Sequence, residues 1–301
     1  MFFMVELKEI SKGSKKYFYL VQSFREGKSV KKKQTYLGEI IPKDIENKKA
    51  EFMREFYKEK FLDEIDRIKE NFEKEYKIMP ISARKKSKDI FAIKFTYNTQ
   101  RIEGSTLSLK DTAQLLEEGL TPSARPIDDV KETGSHKIVF EDMMECEKDL
   151  SMQMVLKWNK KLLEETKPDI AGKIRNYQVA IAQSKFTPPL AIEIESLLYD
   201  FFKWYNQNKS KLHPVELATL VHLKFVTIHP FGDGNGRISR LMMNFILKRN
   251  RFPLLDIPYT KRDSYYNALE RSQVNRDDNI FIQWIFRRYL AEYKRYLNRK
   301  S

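Results

Sequence analysis

Twelve consecutive residues, His229-Pro230-Phe231-Gly232-Asp233-Gly234-Asn235-Gly236-Arg237-Ile238-Ser239-Arg240, gather the groups that phosphate chemistry needs. Gly232, Gly234 and Gly236 permit positive φ and close backbone approach to a ligand. The segment leads into an apolar-periodic stretch that reads as a helix, so its unpaired backbone N–H groups and the helix dipole favour an anion. Arg237 and Arg240 stand three apart on one helical face, and two guanidinium groups beside a helix N-terminus suit a polyphosphate. Asp233 places an acid among them, the usual arrangement for Mg2+ bridging a carboxylate to phosphates. His229, ahead of a proline that predicts extended or turn geometry, is positioned as a general base for an attacking hydroxyl. The attacked centre would be a phosphorus whose charge is spread over amides, arginines and Mg2+. A lone histidine or a lone glycine turn is ordinarily structural, and Gly-x4-Gly-Lys-Ser/Thr is absent, so this is not a P-loop. What carries the reading is the combination within twelve residues.

The positioning elements are predicted to be mainly helical. Pro214 suits the first turn of a helix running to about Ile228. A second helix is expected from Asn235 to Arg249, and a final basic one from about 279 to 297. Ser108 followed by Asp111 reads as an N-cap and Gly119 as the C-terminal stop of that helix. Between Asp44 and Tyr76, Phe52, Phe56, Ile65, Ile68, Phe72 and Tyr76 recur at helical spacing with one slip near Phe61-Leu62. Pro80 stops that long helix, and 80–88 reads as a boundary. Tyr177 to Ile181, a turn around Gln183-Ser184, and Phe186 to Pro189 read as a short hairpin. Residues 3–38 read as strands, with Tyr17 to Val21, a turn within Ser23 to Ser29 around Gly27, and a return over Val30 to Gly38. The expected division is a small antiparallel β unit over 1–42, a helical connector over 43–80 and a catalytic domain over 81–301.

Every defining position of H-x-F-x-D/E-G-N-G-R-x-x-R is filled by His229 to Arg240, and the segment resembles the signature of Fic-domain proteins. The resemblance spans roughly 90 to 290 and leaves 1 to about 80 outside. It implies a helical Fic core that transfers AMP from ATP to a Ser, Thr or Tyr hydroxyl of a protein, with the chain itself among the candidate targets. By position, His229 would be the base, Asp233 the Mg2+ ligand, and Gly234, Asn235 and Gly236 the anion hole. Arg237 and Arg240 would hold the outer phosphates, with Ile238 and Ser239 counted in the same nucleotide-binding run. The hairpin at 179–189 resembles the family's flap, which pins a target segment by main-chain pairing. Tyr265 and Tyr266 resemble its nucleoside wall, with core-facing aromatics as the competing reading. Gln273 stands where many relatives have asparagine.

About 130 residues upstream, Thr99-Gln100-Arg101-Ile102-Glu103-Gly104 fits the family's inhibitory pattern S/T-x-x-x-E-G/N. Glu103 would pair with Arg240, withholding it from the γ-phosphate and repelling ATP. The expected protein is therefore an autoinhibited AMP-transferase, with Thr99 and Glu103 regulatory. Two alternatives stay open. One is another phosphate-group reaction on the same fold, including removal of AMP; the kinase-like version is disfavoured because such relatives carry lysine where Gly236 stands. The other is a nucleic-acid-binding regulator with a vestigial core.

That last alternative rests on charge. The 301 residues include 56 Lys and Arg against 42 Asp and Glu, a net +14. A lysine-rich solvated surface is the commoner cause, since the charges run along the whole chain. Lys31, Lys32 and Lys33 would make one face of the β unit basic, as a charged edge strand that resists aggregation often is. No helix-turn-helix or zinc module favours nucleic acid. The single cysteine, Cys146, reads as a small buried residue and excludes an internal disulfide. No run approaches a membrane span and the N-terminus lacks a secretory pattern, so a cytoplasmic protein without membrane partners is expected. A homodimer paired through helices is open to such a core.

Overall fold

The computed structural model describes residues 5–26, 29–182 and 184–298. Three antiparallel strands in the order β1 (Glu6–Lys12), β2 (Lys15–Glu26) and β3 (Ser29–Gly38) form a small sheet. Tyr19 pairs with Lys8 on one side and Tyr36 on the other, and an irregularity lies between Phe18 and Tyr19. Strand β2 continues through Ser23 to Glu26, where the sequence predicts a turn, because Phe24 packs on Phe56 with ring centroids 5.5 Å apart. Gly27, the expected turn residue, lies outside the described residues.

The connector is α1 (Ile45–Tyr57), a π-helical turn at Lys58–Leu62, and α2 (Asp63–Ile78). The π turn accounts for the slip near Phe61-Leu62. It inserts a residue so that Phe52 and Phe56 before it and Ile65 and Ile68 after it all stay buried. Helix α3 (Ile81–Ile102) begins directly after Pro80, so the boundary expected over 80–88 is helical beyond the proline itself. Pro80 supplies the fixed φ and needs no donor at a helix start, which lets one helix end and the next begin in two residues.

Helix α4 (Leu109–Ala113) opens on a capping box between Ser108 and Asp111. It continues as a π turn to Glu118 and ends at Gly119, whose φ is +70°. Then follow α5 (Ile127–Glu145), α6 (Met152–Leu163), α7 (Ile194–Asn208), α8 (Pro214–Ile228), α9 (Asn235–Arg249), α10 (Arg262–Asn275), α11 (Asp278–Glu292) and α12 (Lys294–Leu297). The expected basic C-terminal helix is broken at Tyr293, which sits at φ −104°, ψ 19° between α11 and α12. Cys146, just past α5, is partly exposed rather than buried.

Helices α8 and α9 are buried on nearly every side and form the centre of the core; α8 is mostly apolar, whereas α9 also buries Arg237, Arg240 and Asn244. One continuous hydrophobic cluster runs from Leu20 through the connector to Tyr296. The predicted hairpin at 179–189 is not a β ladder: none of its described residues is in a strand. Pro188 and Pro189 have no N–H to donate, so the segment folds back through side chains instead, with Gln178 Nε2 donating to Pro188 O at 3.2 Å. Gln183 lies outside the described residues. Among the described residues no helix is long and apolar enough to cross a membrane.

Candidate active site

The loop between the two central helices holds the twelve-residue motif. His229 ends α8 in the left-handed region (φ +53°, ψ 57°), the turn rather than the extended form of the two geometries expected before a proline. Its own N–H still closes the helix on Phe225 O at 3.1 Å, so the chain must turn sharply at this residue. Asn235 then staples the loop: its amide accepts from Phe231 N at 2.9 Å and donates to Phe231 O at 2.8 Å. The Asn235 side chain therefore shapes the loop and does not reach into the cleft.

The first ladder bond of α9 runs from Ile238 N to Gly234 O, 2.9 Å. The N–H groups of Asn235, Gly236 and Arg237 precede it and take no part in the ladder, which leaves an anion site at the helix N-terminus. Gly234 can form that entry because it takes φ +83°. Ile238 and Ser239, counted with the nucleotide-binding run, are turned inward. Ile238 is fully buried in the core, and Ser239 Oγ donates to Gly236 O at 2.9 Å.

Arg240 is fully buried and fully engaged. Its Nη2 lies 2.6 Å from Glu103 Oε1 and 3.2 Å from Thr99 O, its Nε donates to Thr99 Oγ1, and its Nη1 lies 3.3 Å from Tyr265 Oη. Burial would lower the Arg240 pKa, but the Glu103 carboxylate outweighs it and holds the guanidinium firmly charged. Glu103 terminates α3, followed by Gly104 at φ +106°. Its carboxylate also lies across the first turn of α9: a Cβ at Gly236 would fall 2.2 Å from Glu103 Oε1. Glu103 and Gly236 are thus coupled, and a lysine at 236 is incompatible with this carboxylate position.

Arg237 is surrounded by acceptors. It pairs with Glu132, donates to Gln100 Oε1 at 3.2 Å, and lies 3.0 Å from Asp233 Oδ1. It is buried among these partners at the first turn of α9. Asp233 also takes Lys167 Nζ at 2.5 Å. Burial pushes the Asp233 carboxyl up, but Arg237 and Lys167 outweigh it and keep it ionised. A single ionised carboxylate beside an anion site fits Mg2+, which binds one or two carboxylates plus substrate phosphates. Among the described residues no cluster of three acidic, histidine or cysteine side chains offers a protein-only metal cage.

A cleft of about 480 Å³ joins Glu103, His229, Gly236, Tyr265, Tyr266 and Gln273 under the flap segment at Ile181, Ala182 and Ser184. His229 Nδ1 faces Val226 O at 3.2 Å. A carbonyl there requires the proton on Nδ1 and leaves Nε2 with its lone pair. Burial lowers the His229 pKa; the Val226 carbonyl opposes this, and the charge of Arg175 adds to it. Of the two tyrosines, Tyr265 is core: it is fully buried, with its hydroxyl also 3.0 Å from His222 Nε2. Tyr266 remains on the cleft wall and donates to Ile102 O at 3.2 Å, while Gln273 Nε2 is tied to Thr227 Oγ1 at 3.1 Å.

Five further residues complete the site, and none belongs to a short-range pattern in the sequence. Arg175 is buried and donates to His229 O (2.8 Å), Tyr177 O (3.0 Å) and Pro189 O (2.7 Å), joining the histidine to both feet of the flap. Asn159 Nδ2 donates to Asp233 O at 3.0 Å. Glu132 and Lys167 form the ion network under Asp233 and Arg237. At the flap's tip, Glu270 accepts from Ser184 Oγ (2.9 Å) and Lys185 N (2.8 Å), latching the segment to α10.

Comparison with known proteins points to one family. Residues 149–247 match the model of the Fic/DOC family. Protein adenylyltransferase fic-1 of Caenorhabditis briggsae is 31% identical over 210 residues, 67% of this chain and 41% of that protein. Protein adenylyltransferase Fic of Drosophila melanogaster is 32% identical over 193 residues, 63% of this chain and 39% of that protein. The chain thus spans about two fifths of the length of these curated relatives. Among solved structures, a Fic domain containing signaling protein from Bacteroides thetaiotaomicron superposes with a TM-score of 0.68 at 27% identity, covering 78% of this chain and 98% of that one. Fic-1 of Caenorhabditis elegans gives 0.71 at 25% identity, covering 84% and 76%. The chain belongs to the Fic-domain proteins.

Proposed function

We propose that this protein transfers AMP from ATP to a hydroxyl of a protein side chain, and that Glu103 holds it in an inhibited resting state. The observation that carries the reading is the position of the Glu103 carboxylate. It is bonded to Arg240 and lies over the free amides of α9, in the cleft that His229 lines. It stands where an anionic ligand would otherwise be held.

With Glu103 displaced, the amides of residues 235–237 and Arg240 would receive phosphate oxygens. Asp233 would hold Mg2+, kept in place from below by Lys167 and Arg237; the ion would supply charge neutralisation to the phosphates. His229 Nε2 takes the proton of the target hydroxyl. The hydroxyl oxygen bonds to the α-phosphorus, and the bond from that phosphorus to pyrophosphate breaks. Tyr266 and the flap would enclose the nucleoside. The chain itself is one candidate target, and a soluble location such as the cytoplasm is consistent with the proposal. The Gly236–Glu103 contact weighs against the kinase-like alternative, and adduct mass separates transfer from removal of AMP.

The test is labelling from ATP carrying a radioactive α-phosphate, with Mg2+, by wild type, Glu103→Gly and Glu103→Gly/His229→Ala. Glu103→Gly should label at least about tenfold more than wild type, because one buried charge-assisted bond and a like-charge repulsion are removed. The double variant should lose the label. Equal labelling by wild type and Glu103→Gly would refute the inhibited state, and labelling that survives His229→Ala would refute the base.

A further inference from the structure

The N-terminal sheet has one face packed and one face open. Leu20 and Phe24 join the core on one face, where Phe24 meets Phe56 of α1 and Lys33 reaches Glu59 of the following π turn at 2.7 Å. The opposite face carries three tyrosine rings in contact. Tyr36 lies 5.2 Å from Tyr19 and 6.3 Å from Tyr17, centroid to centroid, and is about half exposed. In the strand register Lys8, Tyr19 and Tyr36 form one row across all three strands. Lys32 follows on the same face of β3, four residues from Tyr36, and both lysines are exposed.

Residues 1–42 contain nine Lys and Arg against four Glu, so five of the fourteen net charges come from one seventh of the chain. Edge-strand protection accounts for lysines but not for tyrosines on the open face. Contiguous rings on a sheet, one exposed and two partly exposed, with Lys8 and Lys32 beside them and Glu39 near Tyr36, match what unstacked bases and a phosphate backbone require. A duplex keeps its bases stacked and offers the rings nothing.

We propose that this face binds single-stranded nucleic acid, with bases stacked on Tyr17, Tyr19 and Tyr36 and phosphates held by Lys8 and Lys32. The site is independent of the catalytic cleft and of the activity proposed for it.

The experiment is fluorescence anisotropy with the full chain and fluorescein-labelled twelve-nucleotide DNA and RNA of mixed sequence, at 50 and 200 mM salt. Wild type should bind at the lower salt and weaken roughly tenfold at the higher one, as a few phosphate contacts dictate. Tyr36→Ala should weaken binding about tenfold. Lys8→Ala/Lys32→Ala should flatten the slope of log affinity against log salt by roughly 1.4, which tests the site even where the tyrosine variant fails to fold. Neither should change AMP transfer in the Glu103→Gly background. Absence of binding at 50 mM salt, a Tyr36→Ala protein that folds and binds as wild type, equal or tighter binding of the matching duplex, or binding only to phosphatidylglycerol vesicles would each overturn the proposal.

Discussion

The N-terminal sheet and the loop at the head of α9 are both rich in charge and use it in opposite ways. Around the loop, Arg237 and Arg240 are withdrawn from water and bonded to Glu132, Asp233, Glu103 and Thr99. On the sheet the pairs are open, as in Lys16 with Glu9 at 2.9 Å, where both side chains are largely solvated. The contrast teaches that a charge's consequence depends on its desolvation. In the buried network each charge is indispensable to its neighbour, because an orphaned ion has no water to fall back on. On the sheet each is nearly independent of its partner but sums into a field that acts on other molecules.

Breaking the buried network should produce the largest effect. Glu132→Ala strips Arg237 and Lys167 of a shared carboxylate and should cost about 3 kcal/mol of stability in urea unfolding, with Glu132→Gln intermediate. A loss comparable to that of a surface pair would show that water reaches Arg237. The next effect is catalytic. Arg175→Gln, in the Glu103→Gly background, loosens both flap feet and the His229 carbonyl, and should lower kcat/KM by roughly ten- to a hundredfold. It also removes a positive charge that, with burial, depresses the His229 pKa. The base is active only when neutral, so raising its pKa moves the acid limb of the rate profile to higher pH. Arg175→Lys keeps the charge and should leave that limb in place; an unmoved limb in Arg175→Gln would confine Arg175 to packing. The smallest effect belongs to the sheet: Lys16→Ala should change stability by no more than about 0.5 kcal/mol.

The parts of this arrangement that depend on neighbours along the chain are legible in the sequence. Pro214 and Ile228 bound α8, Asn235 and Arg249 bound α9, Ser108 and Asp111 form their capping box, and the apolar slip at Phe61 is a π turn. The parts that depend on distant partners are not. Glu132 meets Arg237 across 105 residues and Arg175 meets His229 across 54, and neither leaves a periodic signal. The pairing of Arg237 with Glu132 is invisible in the sequence because the helix face of Arg237 says nothing of Glu132. Tyr265 is ambiguous in sequence for the same reason, and His222, fully buried beneath it, decides its place in the core. The strand-like residues of the flap predict a hairpin, but Pro188 and Pro189 remove two adjacent donors from the returning arm. Glu103 with Arg240 is the exception at long range: the contact is within reach of the sequence because two motifs each carry half of it.

Helix α3 is anchored at its tip from several directions. Ile102 O accepts from Arg262 Nε at 3.1 Å and from Tyr266 Oη, Asn98 Nδ2 donates to Asp256 Oδ2 at 2.6 Å, and Gln100 Nε2 donates to Glu132 O at 2.7 Å. The helix is therefore not a lever that swings aside. In the proposed inhibited state the Glu103 carboxylate, with its side chain 29% exposed, would leave Arg240 by turning about its own side-chain bonds, a more local motion than displacing a packed helix, which takes microseconds to milliseconds. Release of the proposed block would then need no slow conformational phase, and labelling by wild type should begin without a lag when ATP is added.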